Sequence, residues 1–256
     1  MVVAFPLRPG RSPQSTWHDA PGKAATIDLR FRYERGPRRE EVVVSHFGPD
    51  RFTVRGQWCE GTVTPNGGEF VLFTGHELDG AVDRWGGLEA AFLSLAALTW
   101  WRGGILLHAG TVRARGGALA ICGASGRGKT TLVRRDWARF LNEEHAFLCP
   151  DGAGGWTSHW YSQSRCPAEE RPSTLPLSGL RLLSERRDDT RLRSCTPSEA
   201  VAGVTHAATW LQGMPMQPLL DRVDALCRAH PPQWFDHCLE TPTAQVFERL
   251  AGEVTP

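Results

Sequence analysis

One short stretch limits what this chain can fold into. Gly123-Ala124-Ser125-Gly126-Arg127-Gly128-Lys129-Thr130 satisfies the pattern G-x-x-x-x-G-K-[ST] at every fixed position. Such a loop requires a strand before it and a helix after it. Ala118 to Cys122 is an apolar run of strand length, and from Thr130 onward the sequence predicts a helix burying Leu132, Val133 and Trp137. Glycines let the backbone turn tightly enough to aim successive N–H groups at phosphate oxygens, and a helix N-terminus adds partial positive charge there. Lys129 is placed to reach the outer phosphates and the Thr130 hydroxyl to ligate Mg²⁺, while residues 123–131, through Thr131, form the nucleotide-contacting set. Of the 29 basic residues, 27 are arginine; the exceptions are Lys23 and Lys129. A chain that almost always uses arginine thus carries a compact ammonium where this loop needs one.

The rest of the composition sets the background. With 256 residues there is room for one large domain or for a small and a medium one. Hydrophobic and charged fractions of 41% and 22% are those of a soluble globular protein. A net charge of +1 supplies no general attraction to nucleic acid or to a membrane surface, so neither is expected as a partner. Met1–Leu7 lacks the basic and apolar regions of a secretory leader. Leu88–Trp101, the longest apolar run, contains Glu89 and is too short to span a bilayer, so a buried helix is expected. Seven cysteines (59, 122, 149, 166, 195, 227, 238) without a C-x-x-C pair fit a cytoplasmic protein whose thiols act as small apolar residues.

Along the chain, residues 1–24 are rich in Pro, Gly, Arg and Ser and are expected to be an irregular lead-in. Residues 25–87 are expected to form a small, mainly β region. Its strands are Ile27–Arg32, Glu41–Ser45, Phe52–Arg55 and Glu69–Phe73, with turns at Gly48-Pro49-Asp50 and Pro65–Gly68. Residues 88–256 should hold the catalytic domain: a helix to Trp101, a strand Ile105–Val112, the loop-bearing strand and helix, and a strand Phe140–Glu144 ending in carboxylates. A short strand Ala146–Cys149 follows. Gly152–Pro176 has no clear periodicity and holds Trp156, His159, Trp160 and Tyr161, the profile of a functional loop. Leu180–Leu183 and Arg191–Arg193 are expected to pair around Asp188-Asp189. Thr196-Pro197-Ser198-Glu199 starts a helix running to about Leu211. A helix from Pro218 to Ala229, a strand Trp234–Leu239 and a closing helix from Thr241, burying Val246, Phe247 and Leu250, complete the chain.

Leu106-Leu107-His108-Ala109-Gly110-Thr111, a hairpin, GASGRGKTTL and a carboxylate-ended strand together resemble the catalytic domain of HPr kinase/phosphorylase. They resemble still more the related kinase branch found among bacterial peptide-modification and regulatory gene products. His108 precedes Gly123 by 15 positions, as in that family, and the likeness covers roughly residues 88–251. It implies an α/β fold with a P-loop kinase core of the HPr kinase/phosphoenolpyruvate carboxykinase type. It further implies transfer of the γ-phosphate of ATP to a hydroxyl, typically serine, of a peptide or small protein. Gly123, Gly126, Gly128 and Lys129 would hold phosphates, and Thr130 and Glu144 would hold Mg²⁺. Glu143 and Glu144, near His108, would activate the acceptor. Relatives include hexamers, so a homo-oligomer is among the implied states.

Two departures keep alternatives open. Relatives carry Asp-Asp or Asp-Glu where this chain has Glu143-Glu144. The extra methylene displaces a carboxylate by about one bond length, and misplacement of that order costs about a hundredfold in rate. The helix between Lys129 and this pair is also shorter than in HPr kinase itself. A nucleotide-binding module without transfer activity fits the same residues. So does a small-molecule kinase, with the Trp156–Tyr161 aromatics lining a compact pocket. No arginine is singled out by spacing; Arg127 is nearest the loop, and Arg134 and Arg135 follow in the helix.

Overall fold

Strands dominate the first third of the chain, and strands interspersed with helices make up the rest. The computed structural model describes residues 14–19, 23–35, 42–65, 67–74, 81–114, 116–136, 138–159, 174–184, 189–211 and 213–252. It is a mixed α/β protein. Its contacts divide it into two units, Met1–Arg102 with Trp210–Pro215, and Gly103–Thr209 with Met216–Pro256.

The first unit contains β1 (Gln14–Asp19), β2 (Lys23–Arg35), β3 (Val43–Phe47), β4 (Phe52–Arg55), β5 (Cys59–Thr64) and β6 (Gly67–Thr74). They form one sheet in the order β1-β2-β6-β5-β4-β3, in which β2 and β6 run parallel and the other neighbours antiparallel. The alternation expected around Ile27–Arg32 appears as Arg30, Arg32 and Glu34 exposed together. Residues 14–19, expected to be irregular, instead pair with β2 from Gln14↔Asp28 to Asp19↔Lys23. The Pro and Gly content of the window hid a strand that its partner organises. β5 was also not anticipated. Its Gly61 has no room for a side chain, since a Cβ would meet the Glu69 carbonyl at 2.3 Å.

Helix α1 (Ala81–Trp101) is the buried helix expected from the apolar run, with Leu93, Leu95 and Leu98 all buried. It belongs to the first unit, so the division falls after Arg102 rather than after residue 87. Glu89, the lone charge in the run expected to be helical, explains this placement. Its carboxylate accepts from the N–H groups of Gln57 and Trp58, at 2.8 and 2.7 Å, in the turn before β5. At the far end Trp101 donates its ring N–H to the Gly48 carbonyl at 2.9 Å. Among the described residues no helix is long and apolar enough to cross a membrane.

The second unit carries β7 (Ile105–Ala114), β8 (Gly117–Cys122), α2 (Lys129–Val133), β9 (Phe140–Asn142), β10 (His145–Pro150), β11 (Trp156–His159), β12 (Thr174–Leu183) and β13 (Arg191–Ser194). After these come α3 (Pro197–Ala207), α4 (Met216–Ala229), β14 (Gln233–Asp236) and α5 (Thr243–Ala251). The sheet order is β11-β10-β7-β8-β12-β14-β13, with β9 also on β7. β8 is parallel to β12, β12 to β14, and β8 is buried along its whole length, as a near-continuous apolar run in a parallel region requires. Leu180–Leu183 and Arg191–Arg193 do not pair directly as expected. β14 lies between them, parallel to β12 and antiparallel to β13. A turn signal in the sequence cannot distinguish a hairpin from a strand gap, and here the gap is filled by β14 with its fully buried Phe235; Asp188 lies outside the described residues. Leu119, Ile121, Leu183 and Phe235 form a core with Leu132 and Val133 of α2 and Val246, Phe247 and Leu250 of α5. α3 packs on the other side of β12, where a Cβ on Gly203 would meet Leu182 at 2.5 Å.

Candidate functional site

The loop expected to hold phosphates follows β8 directly. Gly126 and Gly128 have φ values of 77° and 88°, and among the described residues nothing lies within 4 Å of where their side chains would be. Left-handed backbone, rather than crowding, is therefore what requires glycine at these two positions. Gly128 caps α2, which has only 5 residues and no side-chain cap. The sequence predicted a helix burying Leu132 and Val133, which it does; Trp137 lies outside the described residues. With one turn of helix, any anion affinity rests on the loop N–H groups and on Lys129 rather than on an extended macrodipole.

Lys129 is buried, and its ammonium donates to the loop's own carbonyls, Gly123 at 2.7 Å and Ala124 at 3.1 Å. Burial lowers its pKa, opposed by Cys122 and Glu144. The Cys122 thiol beneath it is pushed up to about 12 by burial and so remains a neutral packing residue.

On one flank of the loop, β7 pairs with β10 and β9 in succession along the same edge. His108 faces His145 and Thr111 faces Asn142 in one continuous register. Glu143 and Glu144 occupy the break between these two pairings, opposite Gly110 and Ala109, and the Ala109 N–H still reaches the Glu144 carbonyl at 3.1 Å. The strand expected over Phe140–Glu144 thus ends at Asn142, with the carboxylates in a bend. Asn142 makes the bend. Its buried side-chain oxygen accepts from the N–H groups of both Glu144 (2.8 Å) and His145 (3.0 Å), an Asx-type turn.

The bend separates the two carboxylates chemically. Glu144 turns to His108, with Oε2 at 3.8 Å from Nδ1, and lies within electrostatic reach of Lys129. Glu143 is ion-paired and hydrogen-bonded to Arg134, just after α2. His108 has its pKa lowered by burial and by Lys129, with Glu144 acting the other way. Burial and the neighbouring His108 bring the His145 pKa down to about 4. The flank therefore holds one carboxylate, two imidazoles biased towards the neutral form, and a lysine.

The other flank is different. A cavity of about 510 Å³ opens beside Gly123, Ala124 and Arg127, bounded by the end of β12, α3 and Trp234 of β14. Its polar wall is built on Asp236, which is fully buried and receives hydrogen bonds from Ser184 at 2.5 Å and from both Arg193 (2.8 and 3.1 Å) and Arg191 (3.2 Å). Arg193 lies 6.0 Å from the Trp234 ring centroid. Glu199, which closes the α3 capping box with Thr196, also lines this cavity beside Trp234.

Of the residues singled out from sequence, His108, Lys129 and Glu144 are brought together, and Glu143 is paired with Arg134. Thr130 and Thr131 follow Lys129 in α2. Trp156 and His159, expected in a functional loop, are buried in β11 between β10 and β12; Trp160 and Tyr161 lie outside the described residues. Asn142, His145 and the Trp234 cavity were not anticipated. Only Asn142 had a signal, its turn-forming side chain before two glutamates. Among the described residues no group of three or more His, Cys, Asp or Glu could hold a metal by itself. A magnesium ion carried by a nucleotide needs fewer protein ligands, because phosphates and waters complete its shell. Thr130 and Glu144 are a hard-oxygen set suited to that role.

No protein-family model matches the sequence, and no curated protein does. Among solved structures, the HPr(Ser) kinase/phosphatase from Coxiella burnetii is a weak neighbour. Identity is 13%, coverage is 48% of this chain and 88% of that one, and the TM-score is 0.26, below the level that establishes a common fold.

Proposed function

We propose that the second unit is an ATP-dependent phosphotransferase that delivers the γ-phosphate to a hydroxyl, most typically a serine, of a peptide or small protein. The observation that carries this reading is the juxtaposition of Lys129, in a loop that meets the phosphate-binding pattern, with the Glu144–His108 pair. Phosphoryl transfer asks a protein for positioning and charge neutralisation more than for covalent chemistry. Lys129 exchanges its neutral carbonyl acceptors for the charged outer phosphates, a stronger kind of hydrogen bond. Glu144 is the group placed to accept the proton of the attacking hydroxyl, and His108 orients it. Arg134 keeps Glu143 from adding a second negative charge beside the phosphates. Magnesium, held by Thr130 and Glu144, would supply neutralisation of phosphate charge.

Incubation with γ-labelled ATP, Mg²⁺ and a panel of serine-containing peptides tests this. Label should pass to an acceptor with the wild-type chain and not with Lys129→Ala. If free phosphate were the sole product across the panel, the transfer reading would fail.

A further inference from the structure

The two flanks of the loop differ in a way that assigns the two ends of the donor. Ionisable groups gather on the β7–β10 side, where Glu144 and His108 lie 3.8 Å apart. The β12 side offers a cavity of about 510 Å³, within the range of small-ligand sites, and its lining begins with the loop residues Gly123 and Ala124. Leu182 and Leu183 supply an apolar floor, the close approach of α3 at Gly203 shapes one side, and Trp234 supplies a large aromatic surface. We propose that this cavity holds the nucleoside of the triphosphate donor, with the base against Trp234 and Leu182 and the phosphates passing from there into the loop.

Three features favour a planar heterocycle over a peptide side chain. Trp234 is positioned before any ligand arrives: its backbone in β14 is paired with Leu182 and Arg193, the Arg193 guanidinium stands over its ring, and Glu199 lines the same cavity. Glu199 is itself fixed, accepting from the Thr196 N–H at 2.8 Å and hydroxyl at 2.8 Å, and Arg193 is clamped by buried Asp236. A rigid aromatic surface binds a flat partner with little ordering cost. Finally, the polar groups at the rim, Arg193 and exposed His206, present donors suited to the heteroatoms of a base or the hydroxyls of a sugar. The acceptor then has the opposite flank, beside Glu144.

This inference rests on the loop binding phosphates, and the experiment separates the two. Ala202 is an exposed α3 residue lining the cavity, so Ala202→Trp fills the space without disturbing the core. Calorimetric titration with Mg²⁺-ATP and with Mg²⁺-tripolyphosphate is done on wild type, Ala202→Trp and Trp234→Leu, each first shown by circular dichroism to melt cooperatively. Both variants should weaken ATP by about tenfold or more, the loss of a modest apolar contact, while tripolyphosphate stays within about twofold. Wild type should bind ATP more tightly than tripolyphosphate. Equal wild-type affinity for both ligands, or ATP affinity unchanged in the variants, would overturn the nucleoside assignment and leave the phosphate loop standing. Failure of wild type to bind either ligand would overturn the loop reading as well.

Discussion

Replacing Asp236 by asparagine should weaken the second unit in a pH-dependent way. Asp236 is completely buried and takes four hydrogen bonds, from Ser184, Arg191 and Arg193. Burial alone would raise its pKa. The bonds from Arg193, Ser184 and Arg191 outweigh burial and hold the carboxyl at about 2, against an ordinary 3.8. A gap of roughly 1.8 pH units corresponds to about 2.4 kcal/mol of preference for the ionised form in the folded state. The partners are not dry: the Arg191 and Arg193 side chains are 58% and 39% exposed, which screens the pairs. The expected contribution is therefore nearer about 1–2 kcal/mol. Because the folded pKa lies below the unfolded one, this stability is complete above the unfolded value and fades as pH falls through the folded value. By pH 3 about half of it should remain. Urea unfolding of wild type and Asp236→Asn, followed by circular dichroism at pH 7, 4 and 3, measures the difference directly. The variant should be less stable by the stated amount at pH 7, and the gap should be roughly halved at pH 3. Equal stability at pH 7, or a gap that does not shrink, would refute the assignment of Asp236 as an ionised hub.

Three further outcomes are expected. Glu144→Gln, which removes both the base and a Mg²⁺ ligand, should lower phosphotransfer by about a hundredfold or more and also weaken Mg²⁺-ATP binding, whereas Glu143→Gln, which loses the Arg134 pair, should cost far less in both; single-turnover kinetics and nucleotide titration measure the two effects. The His108 pKa, followed by NMR, should rise towards 6.5 in Lys129→Met and fall further in Glu144→Gln, because Lys129 and Glu144 act on it in opposite directions. Thr111 on β7 is fully buried and its hydroxyl has no hydrogen-bond partner among the described residues, so Thr111→Val should stabilise the chain by about 1 kcal/mol in urea unfolding.

Much of the second unit was legible because its signals are local. The apolar run before Gly123, the Thr196–Glu199 capping box and the Val246, Phe247 and Leu250 stripe each depend on residues within one or two turns of one another. Strand neighbours were less legible. β14 enters between β12 and β13, and β1 pairs with β2 in a window whose composition looks irregular, since pairing is decided by partners elsewhere in the chain. The helix expected to open the catalytic region joins the first unit through the Glu89 contacts with Gln57 and Trp58, which no helical periodicity encodes.

The sequence by itself determined the phosphate-binding pattern of Gly123–Thr130, its position between strand and helix, and the pool of groups from which a site could be assembled. Spacing sufficed there because the pattern lies in consecutive residues, and the left-handed backbone at Gly126 and Gly128 is what calls for glycine. Tertiary structure decided which carboxylate stands beside His108. Glu143 and Glu144 are chemically identical neighbours, and only the bend held by Asn142 and the position of Arg134 tell them apart. It also decided the Trp234 cavity, whose walls come from segments far apart in the chain and meet only because β8, β12 and β14 lie side by side.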